Sequence, residues 1–150
     1  MKILKAALAM IILSYSNHLF AESCEIMIEG NDVLQFNLSE IVFNANCPEV
    51  TINLKHTGQL AANIMGHNWV LTRSNDFMAV AQAGGVAGPA SNYVPLGDPR
   101  VIAASSMIGG GEETSVTFST ESLDSDGDYT FFCSFPGHYA IMQGSFKISD

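Results

Sequence analysis

Apolar and polar residues alternate in short runs along most of the chain. In "CEIMIEG", Cys24, Ile26 and Ile28 oppose Glu25, Met27 and Glu29. "VTINLKH" sets Val50, Ile52, Leu54 and His56 on one face, with Thr51, Asn53 and Lys55 on the other. "SVTFST" places Val116 and Phe118 between hydroxyl residues, "DYTFFC" aligns Tyr129, Phe131 and Cys133, and "GSFKIS" turns Phe146 and Ile148 inward. "NIMGHNWVL" aligns Met65, His67, Trp69 and Leu71. A period of two marks a half-buried strand, because successive side chains on an extended backbone point to opposite faces. Turn-forming stretches separate the runs: Gly30-Asn31-Asp32, Asn46-Cys47-Pro48, Gly109-Gly110-Gly111 and Asp126-Gly127-Asp128. Many short strands joined by turns predict an all-β sandwich.

One stretch, "NDFMAVAQAGG", breaks the alternation. Asn75 or Asp76 is a candidate cap, an apolar helix-forming run follows, and Gly84-Gly85 reads as a stop. This predicts one short helix over residues 76–84, inside a long inter-strand excursion that continues through the loop-like "VAGPASNYVPLGDP". No repeat or linker divides the chain, so one domain is expected.

The first 21 residues have a different plan. Lys2 and Lys5 precede an apolar run over residues 6–13, and Leu19-Phe20-Ala21 ends in a small residue. That is the order of a secretory signal, with cleavage expected after Ala21. The apolar run falls short of the about 20 residues that a membrane span needs, so no membrane insertion is expected. Residues 22–150 form the mature domain, long enough for a sizeable core. Loss of Lys2 and Lys5 leaves 4 basic residues against 15 acidic ones, a net charge of −11. A domain so poor in Lys and Arg lacks the footprint of a nucleic-acid binder. Its charge opposes anionic membranes as well, while a basic protein surface would be attracted.

Three cysteines remain after cleavage: Cys24, Cys47 and Cys133. An exported protein meets an oxidising compartment, so two of them are expected to pair, which leaves one to explain. "FFCSFPGHYAIMQG" suggests what the odd one does. Cys133 ends an aromatic strand, Ser134-Phe135-Pro136-Gly137 can turn the chain, and His138 and Met142 follow. A thiolate, an imidazole and a thioether thus converge from one loop. This soft, mixed set suits copper, which must be held in two oxidation states, and a second histidine would complete a His₂Cys site with a weak axial Met. His56 and His67 are the remaining histidines of the mature chain. Gly66, just before His67, would let a backbone carbonyl approach a metal, which favours His67. Each residue alone has a plainer reading, as core filling or a satisfied buried histidine. The joint spacing C-x₄-H-x₃-M at a strand end is what outweighs it.

On these motifs the chain resembles the azurins, a branch of the cupredoxin or blue copper family. Cys24, "GNDVLQFN", Cys47, "NIMGHNWVL", "RVIA", "SVTF" and the loop from Cys133 carry the resemblance across the mature chain. It implies an eight-stranded Greek-key β-sandwich with one short helix. It also implies one copper ion per chain, held by His67, Cys133 and His138, with Met142 and the Gly66 carbonyl as weak axial neighbours. A Cys24–Cys47 disulfide follows from it, as do the Asn68 side chain and the backbone near Phe135 as outer partners of the sulfur. It implies an apolar docking surface over Leu34, Leu60, Ile64, Met65, Phe135, Pro136 and Ala140. Gly85 departs from the family, where a methionine often stands on the helix side of that surface. For His56 it implies a buried histidine close to copper; a neutral, hydrogen-bonded core histidine is the alternative.

The function expected is a periplasmic, monomeric one-electron carrier serving redox proteins such as c-type cytochromes or periplasmic reductases and dehydrogenases. A copper-binding or delivery protein is the alternative, although the methionines are dispersed and form no hand-over cluster. An enzyme is not expected, because three histidines are too few for a second, catalytic copper. Zinc could occupy the same ligands.

Overall fold

The computed structural model describes residues 23–149. The expected signal segment, residues 1–21, lies outside them. Eight strands form two sheets: β1 (Glu25–Gly30), β2 (Glu40–Asn44), β3 (Glu49–His56), β4 (Val70–Arg73), β5 (Ala103–Ala104), β6 (Glu113–Ser119), β7 (Tyr129–Phe132) and β8 (Gln143–Ser149). One sheet has the order β1-β3-β6 and the other β2-β8-β7-β4-β5. The β1–β3 and β2–β8 pairs are parallel and the others antiparallel.

The alternation read from the sequence gives the sandwich its filling. Val50, Ile52, Leu54 and His56 of β3 are all buried, and Phe146 and Ile148 of β8 face them from the other sheet with Tyr129 and Phe131 of β7. Trp69 lies at the centre, its ring roughly parallel to those of Phe131 and Phe118, each 5.9 Å away. Burying such residues is the main favourable term of the fold, roughly 1.5–3 kcal/mol for each large apolar side chain.

Two elements differ from the sequence reading. Residues 63–65 do not continue a strand: Ala62–Met65 form a helical turn, α1, and the strand proper starts at Val70. The alternation of Met65 and His67 with Trp69 therefore extends one face across a turn and an isolated bridge. The helix is also longer than predicted. A 3₁₀ turn at Ser74–Asp76 leads into α2 (Phe77–Ala87), which ends at Gly88 with φ +75°. Asp76 makes no side-chain capping bond. Gly84 and Gly85 are inside the helix, and Gly84 is there for closeness rather than as a stop. A Cβ on it would collide with the carbonyl oxygen of Tyr93. Helix α2 covers the outer face of the larger sheet, where Val80 and Ala81 pack with Val70, Val94 and Phe132. That cover explains why β7 carries apolar residues on both faces.

The cysteine accounting closes as the resemblance implied. Cys24 and Cys47 are disulfide-bonded, and Cys133 is free and buried.

Candidate metal centre

Strand β7 delivers Cys133 to one end of the sandwich, and the loop after it folds back on itself. The N–H of His138 donates to the Phe135 carbonyl (3.0 Å), with Gly137 supplying the positive φ of +84° that the turn needs. The N–H groups of Ile141 and Met142 then both donate to the His138 carbonyl (2.9 and 2.8 Å), and that of Cys133 donates to the Met142 carbonyl (3.0 Å). This closure brings His138 Nδ1 to 3.6 Å from Cys133 Sγ.

His67 arrives from a distant part of the chain. Its backbone N–H and C=O both bond to Ile108, in an isolated bridge. Its Nε2–H donates to the carbonyl of Asn31 (2.9 Å), which fixes the tautomer and leaves Nδ1 as a free acceptor, 3.8 Å from Cys133 Sγ. The approach of that carbonyl depends on Gly30, because a Cβ there would lie 2.7 Å from His67 Cδ2. Gly66 is required in the same way. A Cβ on it would collide with the Ala62 carbonyl and lie 2.8 Å from Met107 Sδ, whereas its own carbonyl stands 3.7 Å from Cys133 Sγ.

The donor atoms of His67, Cys133 and His138 all lie within 4.8 Å of one another, and all three residues are buried. Burial sets their protonation. It pushes the Cys133 thiol up to about 12, against the opposing pull of the backbone N–H groups of Asn68 and Phe135. It pulls His138 down to about 4, helped by the nearby His67, and lowers His67 too. With no cation bound, the cluster would hold one neutral thiol and two neutral imidazoles. A bound cation would take the place of the thiol proton and make the sulfur a thiolate. One sulfur and two imidazole nitrogens, preset and buried, fit copper.

Around this cluster the side chain of Asn68 joins three segments. Its Oδ1 accepts the N–H of Ser134 (2.8 Å), and its Nδ2 donates to Ser134 Oγ (2.8 Å) and to the carbonyl of Asn92 (3.0 Å). Met142 is fully buried, with its Cε over Gly30 beside the His67 ring. His56 is the satisfied core histidine. Its ring stacks on that of His67 (4.3 Å between centroids, 17° between planes), Nε2–H donates to the Met65 carbonyl (2.8 Å), and Nδ1 accepts the N–H of Gly58 (3.0 Å).

Of the apolar surface residues, Leu60, Ile64, Pro136 and Ala140 are exposed, while Leu34, Met65 and Phe135 are half-buried. The Phe135 ring packs on His138, 4.5 Å between centroids. The sequence reading missed Asn31, Ser134 and Asn92. Asn31 and Asn92 act through backbone carbonyls, for which side-chain identity carries no signal.

The profile of the copper binding proteins of the plastocyanin/azurin family matches residues 22–149. An azurin of Achromobacter denitrificans is 48% identical over 146 residues, covering 97% of this chain and 98% of its own. That of Alcaligenes faecalis is 52% identical over 126 residues, covering 84% of this chain and 98% of its own. The solved azurin Az-iso2 of Methylomonas sp. strain J superposes with a TM-score of 0.83 at 44% identity, over 85% of this chain and 99% of that one. With the fold, the donor cluster and these likenesses in agreement, the chain belongs to the plastocyanin/azurin family of copper-binding proteins.

Proposed function

We propose that His67, Cys133 and His138 hold one copper ion as its three strong ligands, with Met142 and the Gly66 carbonyl as weak axial neighbours. In this reading the protein carries single electrons between redox proteins of the periplasm. When bound, copper supplies a one-electron Cu(II)/Cu(I) couple. The chain does the rest. Buried donors locked by backbone hydrogen bonds cannot rearrange when the charge changes, and a site without reorganisation suits rapid transfer. The observation that carries the reading is the convergence of the two Nδ1 atoms on one buried sulfur. Burial of all three donors opposes the delivery alternative, which needs ligands that can hand metal over.

His138 lies 5% exposed against the Phe135 ring, in the loop that also carries the exposed Pro136 and Ala140, so the proposed route to a partner runs through this apolar end. Docking there is brief, across a small interface of the kind electron carriers use. The four Lys and Arg of residues 22–150 are each ion-paired, Lys55 with Glu113, Arg73 with Asp124, Arg100 with Asp98 and Lys147 with Glu40. With every Lys and Arg among the described residues paired, little positive charge is left to grip a phosphate backbone. Cleavage after Ala21, export to an oxidising periplasm and a monomeric state complete the proposal, and the Cys24–Cys47 disulfide supports the compartment.

The test is to load the purified chain with Cu(II) and record its visible absorption and electron paramagnetic resonance. An intense thiolate-to-copper band, bleached by ascorbate and lost in Cys133→Ser, is expected. A weak or colourless copper complex would overturn the assignment. Phe135→Glu should keep the band yet slow transfer to a cytochrome c; an unchanged rate would place docking elsewhere.

A further inference from the structure

The geometry points to Asp32 as a positioning residue for the copper ligand His67, acting through the carbonyl of Asn31; this rests on His67 being a ligand. The carboxylate does not touch the donor cluster. It ties together two loops at the metal end of the sandwich. Asp32 Oδ2 accepts the N–H of Gln59 (2.8 Å) and Oδ1 the N–H of Leu60 (3.4 Å). The neighbouring carbonyl, that of Asn31, receives His67 Nε2–H. The loop being gripped is itself anchored, since the Leu60 carbonyl accepts the N–H of Gly110 (2.8 Å). Gly58 leaves room for the grip, because a Cβ there would collide with the Asp32 carboxylate.

The turn that carries Asn31 has reason to move without this tie. Leu34 is held at φ +62°, a conformation that L side chains disfavour. Within the turn, Asn31 Oδ1 accepts the N–H groups of Val33 and Gln35, so the turn is one compact unit. Hydrogen bonds from the N–H and Oγ1–H of Thr57 fasten the Gly30 carbonyl, one residue before Asn31. Asp32 fastens the unit from the other side. With both anchors the Asn31 carbonyl can shift little, and His67 keeps its Nδ1 aimed at the sulfur. Without Asp32 the turn is held at its base, by Thr57 and by the paired bonds between Glu29 and Asn37, so its outer part can pivot and the contact from His67 Nε2–H opens. The tie rests chiefly on the charge-assisted bond from Gln59 (2.8 Å), the contact from Leu60 being long.

The experiment is hydrogen exchange of the His67 Nε2 proton, followed by NMR in the Cu(I)-loaded protein. Asp32→Ala should raise that exchange rate at least about tenfold, because opening of the turn becomes local and cheap. The amide of Ile52, at the centre of the β1-β3-β6 sheet, should exchange as in the parent. Asp32→Asn keeps one acceptor oxygen and should recover part of the protection. An unchanged His67 exchange rate in Asp32→Ala overturns the proposal. So does a rise matched by Ile52, which would make the carboxylate an ordinary stabiliser of the whole domain. The copper assignment is read separately from the parent's charge-transfer band. If that band is missing, the ligand reading fails, and the same exchange comparison in the metal-free protein still decides whether Asp32 holds the His67 contact.

Discussion

Replacing Asn68 with alanine should cost about 3–5 kcal/mol of folding stability, and the figure follows from its partners. Asn68 is fully buried; its Oδ1 accepts the N–H and, at 3.2 Å, the Oγ–H of Ser134, and its Nδ2 donates to Ser134 Oγ and the Asn92 carbonyl. After truncation, Ser134 Oγ and the Asn92 carbonyl still have each other, at 3.4 Å. The Ser134 N–H has nothing, and a buried unpaired donor costs about 1–3 kcal/mol. The two bonds from Nδ2 add about 1 kcal/mol each. For a domain of this length the sum lowers Tm by on the order of 15 °C, a large share of a total stability of about 5–15 kcal/mol. Urea unfolding of the metal-free protein measures it without a contribution from bound ion. The copper-loaded variant should in addition show a displaced charge-transfer band, because Ser134 adjoins Cys133. A loss below about 1 kcal/mol would refute the reasoning, since it would mean that the cavity admits water to the orphaned amide.

Gly84→Ala and Gly85→Ala, adjacent in α2, should act in opposite directions. The first drives a methyl into the Tyr93 carbonyl and destabilises by about 2 kcal/mol or more, whereas the second meets nothing within 4 Å and gains about 0.5–1 kcal/mol from helix propensity; thermal unfolding of the pair decides, and equal signs would refute the packing argument. Removing the disulfide in a Cys24→Ala, Cys47→Ala double variant should cost about 3 kcal/mol, from the chain entropy of a loop spanning 23 positions, read from urea midpoints. Arg100 donates to Asp98 from Nε, Nη2 and its backbone N–H and holds that carboxyl at about 2, below its ordinary 3.8. A depressed carboxyl stabilises the fold above its unfolded value and loses that contribution as pH falls through about 2. The stability gap between the parent and Asp98→Asn should therefore be full at pH 6 and shrink below pH 4, and a gap independent of pH would refute the ion-pair account.

How much of this was legible in the sequence depends on which faces are buried. Strands β3, β6 and β8 bury one face, so their alternation announced both the strand and its inward side. Strand β7 is covered on both faces: the alternation of Tyr129, Phe131 and Cys133 was legible, whereas the burial of Phe132 on the opposite face was not. Residues 63–65 fitted the template of a strand only because α1 is a single turn, too short to display a period of 3.6. Gly84 looked like a helix stop because its true constraint, the backbone of Tyr93, lies outside any local window. At the metal end, chemistry-bearing side chains were legible from type and spacing, and the structure brings His67, Cys133 and His138 together. The carbonyls of Asn31 and Asn92 were invisible, since any residue supplies a carbonyl and only the fold aims it.

The donor cluster is split unequally along the chain. Cys133, His138 and Met142 lie within ten residues, while His67 is 66 positions from Cys133 and reaches it only through the pairing of β4 with β7. On the ligand set proposed above, unfolding separates His67 and leaves Cys133, His138 and Met142 on a short tether, where closing so small a loop costs little. With that set, the denatured chain is expected to retain a partial chelate for Cu(I). Ligand stabilisation counts only the difference between binding to the folded and unfolded states. Copper in its reduced form must consequently raise the unfolding midpoint by less than its affinity for the folded site would dictate, and the shortfall measures what the loop alone can hold.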